Sequence, residues 1–473
     1  MNEEDRNYFG DEDISEALSR FKRSLISGSK KYFDVSEFEG IVEYLLEEGD
    51  INASEIAARQ GMQIHPNAVA LHLKYAQVLL NKGKFEEVIS RIELIENIEN
   101  TNPDVYLIKG SAFLMLGDDA KARTAFRKAI KYSGNDKDDI LYHIGSAHAQ
   151  EGDAFNAIMY FERALNVNPK NEQALFELGF FCDQVGYYDK SIFHYNRYLD
   201  LDPFNHLTWF NLGITYNRAG SYEEAIKAYE YAWLLNESNY QSLFNLANAM
   251  ANAGKYRDAI KTYKDFLKHD AGNDEAHCYI AECYLNLDDN VLSEKHYQKA
   301  IDLNQENDTA WFGLGLIMWI RKKFTESVVF VKKAIEFDDS NPEYWHTLAK
   351  IYTDFNHGKN ALKAIKTAAR LDPENVEIWL TWADLYEMSG EHESAARIIQ
   401  TAVRKNSQAI LKYRLTGLLL LLKKEKEAFV MLDKAMNQDF VLITSLYDFY
   451  PKALKSKKIK KLIDEFQKKD IRK

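Results

Sequence analysis

Residues of the same type recur along this chain at multiples of 34 positions. Intervals of 102, 34 and 34 residues separate the tryptophans Trp209, Trp311, Trp345 and Trp379. Intervals of 34, 34 and 102 residues separate the glycines Gly145, Gly179, Gly213 and Gly315. A period of this length is typical of stacked supersecondary units, each of which contacts mainly its neighbours. The chain is therefore predicted to fold as a row of repeats and not as one closed globule.

The clearest repeat, residues 206–239, contains two helical patterns. The first pattern places apolar or small residues at i, i+3, i+4 and i+7, on one face of a helix: Trp209, Leu212, Gly213 and Tyr216. Gly220 then interrupts the helix. The second pattern consists of Ala225, Tyr229 and Ala232. The small residues allow the two helices to approach closely, and the aromatic rings fill the gaps between layers.

This pattern, W-x2-L-G-x2-Y followed by Ala, an aromatic residue, Ala and a terminal Pro, resembles the tetratricopeptide repeat family. The resemblance covers residues 35–442 and implies about twelve 34-residue helix-turn-helix repeats of a bacterial cytosolic type. One residue is inserted in the third repeat, and one is missing from the turn of the last. The family's fold is an all-α, right-handed superhelical solenoid with terminal capping helices. Its first helices line a concave groove that binds peptide segments or partner proteins.

Residues 1–34 and 443–473 lie outside the repeats. The first segment combines an acidic tail with an amphipathic helix over 13–28, which either covers the first repeat or docks on a partner. The second segment is predicted to form a basic capping helix. Its apolar residues would cover the last pair while its lysines face water: Leu454, Leu462, Ile463 and Phe466.

Charge is distributed unevenly along the chain. Residues 451–473 contain ten lysines and arginines against three acidic residues, a surplus of +7, which leaves −19 for residues 1–450 out of the total of −12. An acidic body argues against nucleic-acid binding along the repeats. The basic tail either forms a solvated surface or contacts phosphate, on RNA in a large assembly or on anionic lipids, through Lys457, Lys458, Lys460 and Lys461.

The sequence lacks the motifs that carry chemistry in enzymes. It contains no metal-ligand spacing, phosphate-binding loop, dinucleotide turn or nucleophile elbow. We therefore expect no catalytic residue, no metal and no cofactor. Three cysteines form no disulfide framework, and the acidic start differs from a basic and apolar signal peptide, so the simplest localisation is cytoplasmic.

By the resemblance, the fifth residue of each first helix faces the groove. That position, with Phe180 beside it, supplies the predicted aromatic strip: Tyr142, Phe176, Phe180, Phe210, Phe244 and Phe312. Polar residues on the same wall form an adjoining cluster: Asn211, Asn217, Arg218, Asn245, Asn248 and Asn252. Both sets have an alternative role, because the rings can half-pack against a neighbouring helix and Asn is common at its repeat position.

The sequence thus favours a non-enzymatic protein-interaction scaffold or adaptor, in which the aromatic and Asn side chains bind a partner segment. The alternative is a factor that docks on a ribosome, on RNA or on an anionic membrane surface through its basic C-terminal tail.

Overall fold

The computed structural model describes residues 11–27 and 32–470, with side-chain surroundings for residues 15–26 and 32–467. These ranges contain 27 α-helices and one 3₁₀ helix, and no β-strand. The prediction of an all-α fold is confirmed. Most of the predicted acidic tail lies outside the described residues, as do the side chains of Ile14 and the last four basic residues, Lys468, Lys469, Arg472 and Lys473.

Twelve helix pairs make up the body of the chain. In chain order, α2 to α25 are Val35–Glu47 with Ile51–Ile64, Val69–Asn81 with Phe85–Glu96, Pro103–Met115 with Asp119–Tyr132, Lys137–Glu151 with Ala154–Val167, Glu172–Gln184 with Tyr188–Leu199, His206–Arg218 with Tyr222–Leu235, Tyr240–Asn252 with Tyr256–Phe266, Asp274–Asn286 with Asn290–Leu303, Asp308–Ile320 with Phe324–Phe337, Pro342–Asp354 with Gly358–Leu371, Val376–Met388 with His392–Lys405, and Ala409–Leu421 with Glu425–Gln438. Their number agrees with the 34-residue period.

Contacts between Cα atoms divide the chain into two compact units, Met1–Ser242 and Leu243–Lys473. The first, here called the N-terminal unit, contains α1 to α13. The second, the C-terminal unit, contains α15 to α27, and the boundary falls within α14. Each unit is a stack of helix pairs with its own buried clusters.

Seven of the first helices begin in a similar way, at an asparagine. The Asn side chain accepts a hydrogen bond from a backbone N–H in the first turn at Asn102, Asn171, Asn205, Asn273, Asn307, Asn341 and Asn375. Such a cap satisfies a donor that the helix leaves unpaired. The periodic asparagines therefore set the point at which these seven repeats start.

The turn within each pair contains one residue in the left-handed region. Glycine occupies this position in eight pairs, at Gly49, Gly83, Gly117, Gly152, Gly186, Gly220, Gly254 and Gly390. Four pairs have another residue there, at Asp288, Lys322, Asn356 and Lys423. Because this conformation ends a helix and reverses the chain, the turn has the same shape whichever residue occupies it.

A glycine in the first helix faces an aromatic ring in the second helix of several pairs. A Cβ atom added at Gly179 would lie 2.4 Å from Tyr195, and one at Gly145 would lie 2.6 Å from Phe161. Both rings are fully buried. The spacing of glycine and aromatic residues thus reflects close packing of the two helices, as the sequence indicated.

The four periodic tryptophans hold the turn that precedes their own helix. Each indole Nε1 donates to a carbonyl oxygen six residues earlier, at 2.8 or 2.9 Å, in the pairs Trp209–Pro203, Trp311–Gln305, Trp345–Asp339 and Trp379–Pro373. A buried or half-buried indole needs such a partner. The tryptophan period therefore marks a connection between repeats as well as an apolar contact.

First helices and second helices pack differently within each unit. Neighbouring first helices contact one another, for example α4 with α6 and α20 with α22, whereas the described second helices contact each other weakly or not at all. The first helices therefore form the closer-packed side of each stack. We call the solvent-facing side of these helices the first-helix surface.

The N-terminal helix α1, Asp11–Ser27, packs on α2. Phe21 is fully buried, with its ring centroid 6.1 Å from that of Phe33, and Arg20 forms an ion pair of 2.8 Å with Glu37. Helix α1 thus covers the first pair with its apolar face.

The C-terminal segment differs from the single capping helix that the sequence suggested. It forms α26, Ile443–Phe449, then a 3₁₀ helix at Pro451–Lys455, and then α27, Lys457–Asp470. Ile459 is buried, Leu462, Ile463 and Phe466 pack against the last pair, and Leu454 is 52% exposed. The expectation for Leu454 was wrong because Pro451 starts a separate turn that directs this residue to solvent.

The missing residue of the last repeat also lies elsewhere than expected. The turn between α24 and α25 has three residues, as does the turn between α22 and α23. The connection from α23 to α24 has three residues where the connection from α21 to α22 has four. The deletion therefore shortens the link between repeats and leaves the turn within the last pair unchanged.

Candidate functional site

The predicted aromatic strip lies on first helices, and four of its six rings contact second-helix rings. Tyr142, Phe176, Phe210 and Phe244 are all half-buried. In the N-terminal unit, the centroid of Phe176 lies 6.0 Å from those of Tyr195 and Tyr198, and that of Phe210 lies 5.8 Å from Tyr229. These edge-to-face contacts fix the rings and leave part of each exposed.

The C-terminal unit contains two rings of the strip, Phe244 and Phe312. Phe244 contacts Tyr263, Phe266 and Tyr279, with centroid distances of 5.8, 5.1 and 5.7 Å. Phe312 is only 8% exposed because its ring packs 4.6 Å from Tyr344 of the next repeat. Phe312 therefore offers little surface to a partner.

Phe180 is the most exposed ring of the predicted strip, at 41%. Its ring stands edge-on to Phe181, with the centroids 5.2 Å apart. Ile320 is more exposed still, at 54%, on the corresponding side of α18 in the C-terminal unit. These two residues supply accessible apolar area on the first-helix surface of the two units.

The polar cluster is divided between the units. Asn211 and Asn217 are half-buried and Arg218 is exposed on α12, while Asn245 and Asn248 are half-buried and Asn252 is exposed on α14. The carboxamide of Asn248 accepts a hydrogen bond from the Tyr263 hydroxyl. That carboxamide thus has a structural partner in addition to any role at the surface.

Sequence reasoning missed the residue that holds Arg218. Asp183 on α10 is 6% exposed, and its Oδ2 accepts a charged hydrogen bond from Arg218. Its Oδ1 is buried and accepts no hydrogen bond in the described part of the chain. The two residues are 35 positions apart, as are Trp319 and Asp354, whose indole and carboxylate lie 2.8 Å apart. Comparing each residue with the residue 35 positions later, in the next repeat, would have revealed the contact.

Sequence reasoning also missed two half-buried carboxylates on the first-helix surface. Burial raises the pKa of Glu177 in the N-terminal unit. Burial and the neighbouring Glu343 raise the pKa of Glu282 in the C-terminal unit. Among the described residues, no cation contributes to the pKa of either group. Both carboxylates are thus partly desolvated without a compensating charge.

The second helices leave clefts between them on the opposite side of each stack. A cleft of about 580 Å³ in the N-terminal unit is lined by residues including Asp119, Arg123 and His148. A cleft of about 630 Å³ in the C-terminal unit has an apolar floor of Leu415, Leu419 and Leu422. No three His, Cys, Asp or Glu residues are placed to hold a metal ion within the described ranges.

Burial favours the neutral forms of the buried cysteines and histidines. Burial raises the pKa of the Cys182 thiol to about 11 and that of Cys283 to about 12. His277 and His296 lie with their Nδ1 atoms 3.1 Å apart, and burial, His277 and nearby lysines lower the pKa of His296 to about 4. Neutral thiols are poor nucleophiles and metal ligands, so the two cysteines act as packing groups.

The four predicted lysines of the basic tail lie on α27 and are exposed. Lys458 reaches Glu425 of the last pair at 2.6 Å, with the two side chains 66% and 53% exposed. Lys461 lies 3.8 Å from Glu465 of its own helix. The tail therefore presents a basic face to solvent.

No helix within residues 11–27 and 32–470 has the length and apolarity needed to cross a lipid bilayer.

Comparison with known proteins places this arrangement in a family. Profiles described as tetratricopeptide repeat match residues 104–135, 138–171, 172–205, 194–227, 216–277 and 346–410, which together cover just over half of the chain. Two curated relatives match shorter stretches. Human protein O-mannosyl-transferase TMTC3 is 26% identical over 129 residues, which are 26% of this chain and 14% of that protein. Photosystem I assembly protein Ycf3 of Rippkaea orientalis is 34% identical over 73 residues, 15% of this chain and 42% of that protein.

The chain thus spans less than half the length of either curated relative. Among solved structures, yeast Tom70 has a TM-score of 0.44 at 14% identity, covering 92% of this chain and 95% of that chain. The APC/C hetero-tetramer Cut9–Hcn1 has a TM-score of 0.38 at 12% identity, covering 78% and 94%. From its matched repeats, its twelve helix pairs and their shared turn and capping residues, the chain belongs to the tetratricopeptide repeat family.

Proposed function

We propose that this chain is a non-enzymatic scaffold that binds segments of partner proteins on its first-helix surface, in the cytoplasm. Tetratricopeptide repeats typically bind protein partners and typically lack catalytic activity of their own. The observation that carries the proposal is the row of anchored rings, half-buried at Tyr142, Phe176 and Phe210, beside the exposed Phe180. Its three cysteines are free, as is usual in a reducing compartment.

Rigid aromatic side chains suit this role because binding orders them at little cost. The rings of Phe176 and Phe210 already have neighbours on second helices, so a partner meets a surface fixed in advance there. The half-buried asparagines Asn211 and Asn245 offer both donors and acceptors to a peptide backbone. The first-helix surface thus combines apolar area with hydrogen-bonding groups that can pair with a peptide backbone of any sequence.

A photo-crosslinking amino acid in place of Phe180 tests the proposal. We expect ultraviolet irradiation in native lysate to join this position to discrete partner proteins, identified by mass spectrometry. The matched control places the same amino acid at Phe193, which is 57% exposed on the second helix α11. Equal yields of the same adducts at both positions would contradict binding at the first-helix surface.

The exposed basic face of α27 favours a second candidate function, docking on a ribosome, on RNA or on an anionic membrane. Replacing Lys457, Lys458, Lys460 and Lys461 with glutamine should lower the free energy of unfolding by less than about 1 kcal/mol, because exposed ion pairs contribute little. Sedimentation with ribosomes or anionic vesicles at low salt should be lost. If wild type and variant sediment alike in each assay, this candidate fails.

A further inference from the structure

A half-buried carboxylate lies among aromatic side chains on the first-helix surface of each unit. In the N-terminal unit, Glu177 lies on α10 next to Phe176 and one turn before Phe180. Its charge, after burial, contributes to the raised pKa of the Tyr142 hydroxyl, which places Tyr142 of α8 near it. The carboxylate thus lies one helical turn from the exposed Phe180 and near Tyr142 of the neighbouring first helix.

The C-terminal unit repeats this arrangement with different residues. Glu282 lies on α16, one turn after Tyr279, which is 37% exposed. The ring of Tyr279 stacks on Tyr263, with centroids 5.9 Å apart, and stands edge-on to Phe244 at 5.7 Å. The two sites therefore share a chemistry that the repeat period alone does not impose, because Glu177 and Glu282 occupy different repeat positions.

A buried acceptor without a donor lies on the same helix as Glu177. Asp183 is 6% exposed, Arg218 holds its Oδ2, and its Oδ1 has no hydrogen-bond partner in the described part of the chain. Leaving a buried polar atom unpaired destabilises the folded chain.

Resting on the proposed function, we propose that partner segments bound on the first-helix surface are basic, with a lysine or arginine side chain held at Glu177 in the N-terminal unit or at Glu282 in the C-terminal unit. A cation at either position would gain the carboxylate and the faces of adjacent rings together. Much of the desolvation of each carboxylate has already occurred in the free protein, so pairing costs less than at a fully hydrated group. The surplus of −19 over residues 1–450 would also speed the approach of a basic segment.

Fluorescence anisotropy with three labelled dodecapeptides tests this inference. The peptides repeat Lys-Phe-Ala, Gln-Phe-Ala or Glu-Phe-Ala and differ only in charge. We expect the lysine peptide to bind the full chain about tenfold more tightly than the glutamine peptide, and the glutamate peptide to bind more weakly than either. Equal affinity for the three peptides would overturn the inference.

Substitutions locate the effect. The double variant Glu177→Gln with Glu282→Gln should lose about tenfold in affinity for the lysine peptide. The matched control is Glu230→Gln with Glu306→Gln, which removes the same charge from two exposed positions, on α13 and in the turn before α18. The control should remain within about twofold of wild type. If both double variants lose affinity equally, only general electrostatic attraction is at work and the two sites are not specific.

Charge reversal separates binding from folding. Glu177→Lys should weaken the lysine peptide and strengthen the glutamate peptide, a gain that a misfolded variant would not show. If the glutamine peptide binds as tightly as the lysine peptide and crosslinks at position 180, the proposed function survives and the basic partner is rejected. If none of the three peptides binds, both proposals are contradicted.

Discussion

Replacing Trp379 with alanine should lower the local free energy of unfolding by about 3–5 kcal/mol. The indole is 3% exposed, stacks on Trp382 with centroids 5.6 Å apart, and donates to the Pro373 carbonyl oxygen at 2.9 Å. The substitution therefore removes a buried ring and the hydrogen bond that holds the preceding turn. Met388→Ala on the same helix is the matched control, because Met388 is 72% exposed and should cost little.

Hydrogen exchange would show where protection is lost. Because each helix pair contacts mainly its neighbours, the loss should be concentrated within residues 342–438, in the mutated pair and those on either side. A uniform loss across residues 35–442 would contradict this near-neighbour description and would indicate that the stack unfolds as one cooperative block.

Gly313→Ala should destabilise the C-terminal unit by about 1–3 kcal/mol. An added Cβ would lie 2.2 Å from Cζ of Tyr297, a ring that is 2% exposed and has little room to move. Gly358→Ala is the matched control, because no atom lies within 4 Å of its added Cβ and its position is helical. The control should be neutral or stabilise by up to about 1 kcal/mol, since alanine favours the helix.

Urea unfolding of the two alanine variants checks this difference in sign. Shifts in the same direction and of similar size would show that helix propensity outweighs packing at Gly313. The close approach of α18 to Tyr297 would then be looser than the distances indicate.

The repeat architecture was predictable because it depends on spacing. The 34-residue period predicted twelve helix pairs, and Gly220 marks a turn in the sequence itself. Spacing could not reveal the separate turn at Pro451 or the exposure of Leu454, because residues 443–473 lie beyond the last repeat and keep no phase with it.

The candidate site was less predictable because exposure depends on neighbours. Phe210 and Phe312 occupy the same repeat position, yet only Phe312 is buried, since Tyr344 of the next repeat covers it. The phase of the repeat identifies the surface on which a side chain lies. It does not identify the individual ring that covers the side chain.

The left-handed turn residues give the two units different scope for change. All six turns within the pairs of the N-terminal unit already have glycine, whereas four turns of the C-terminal unit hold Asp288, Lys322, Asn356 and Lys423 in that conformation. A lysine there is strained by roughly 1–2 kcal/mol relative to glycine. Glycine at Lys322 or Lys423 is therefore a simple single-residue route to a more heat-resistant C-terminal unit, whereas the equivalent turns of the N-terminal unit already have glycine.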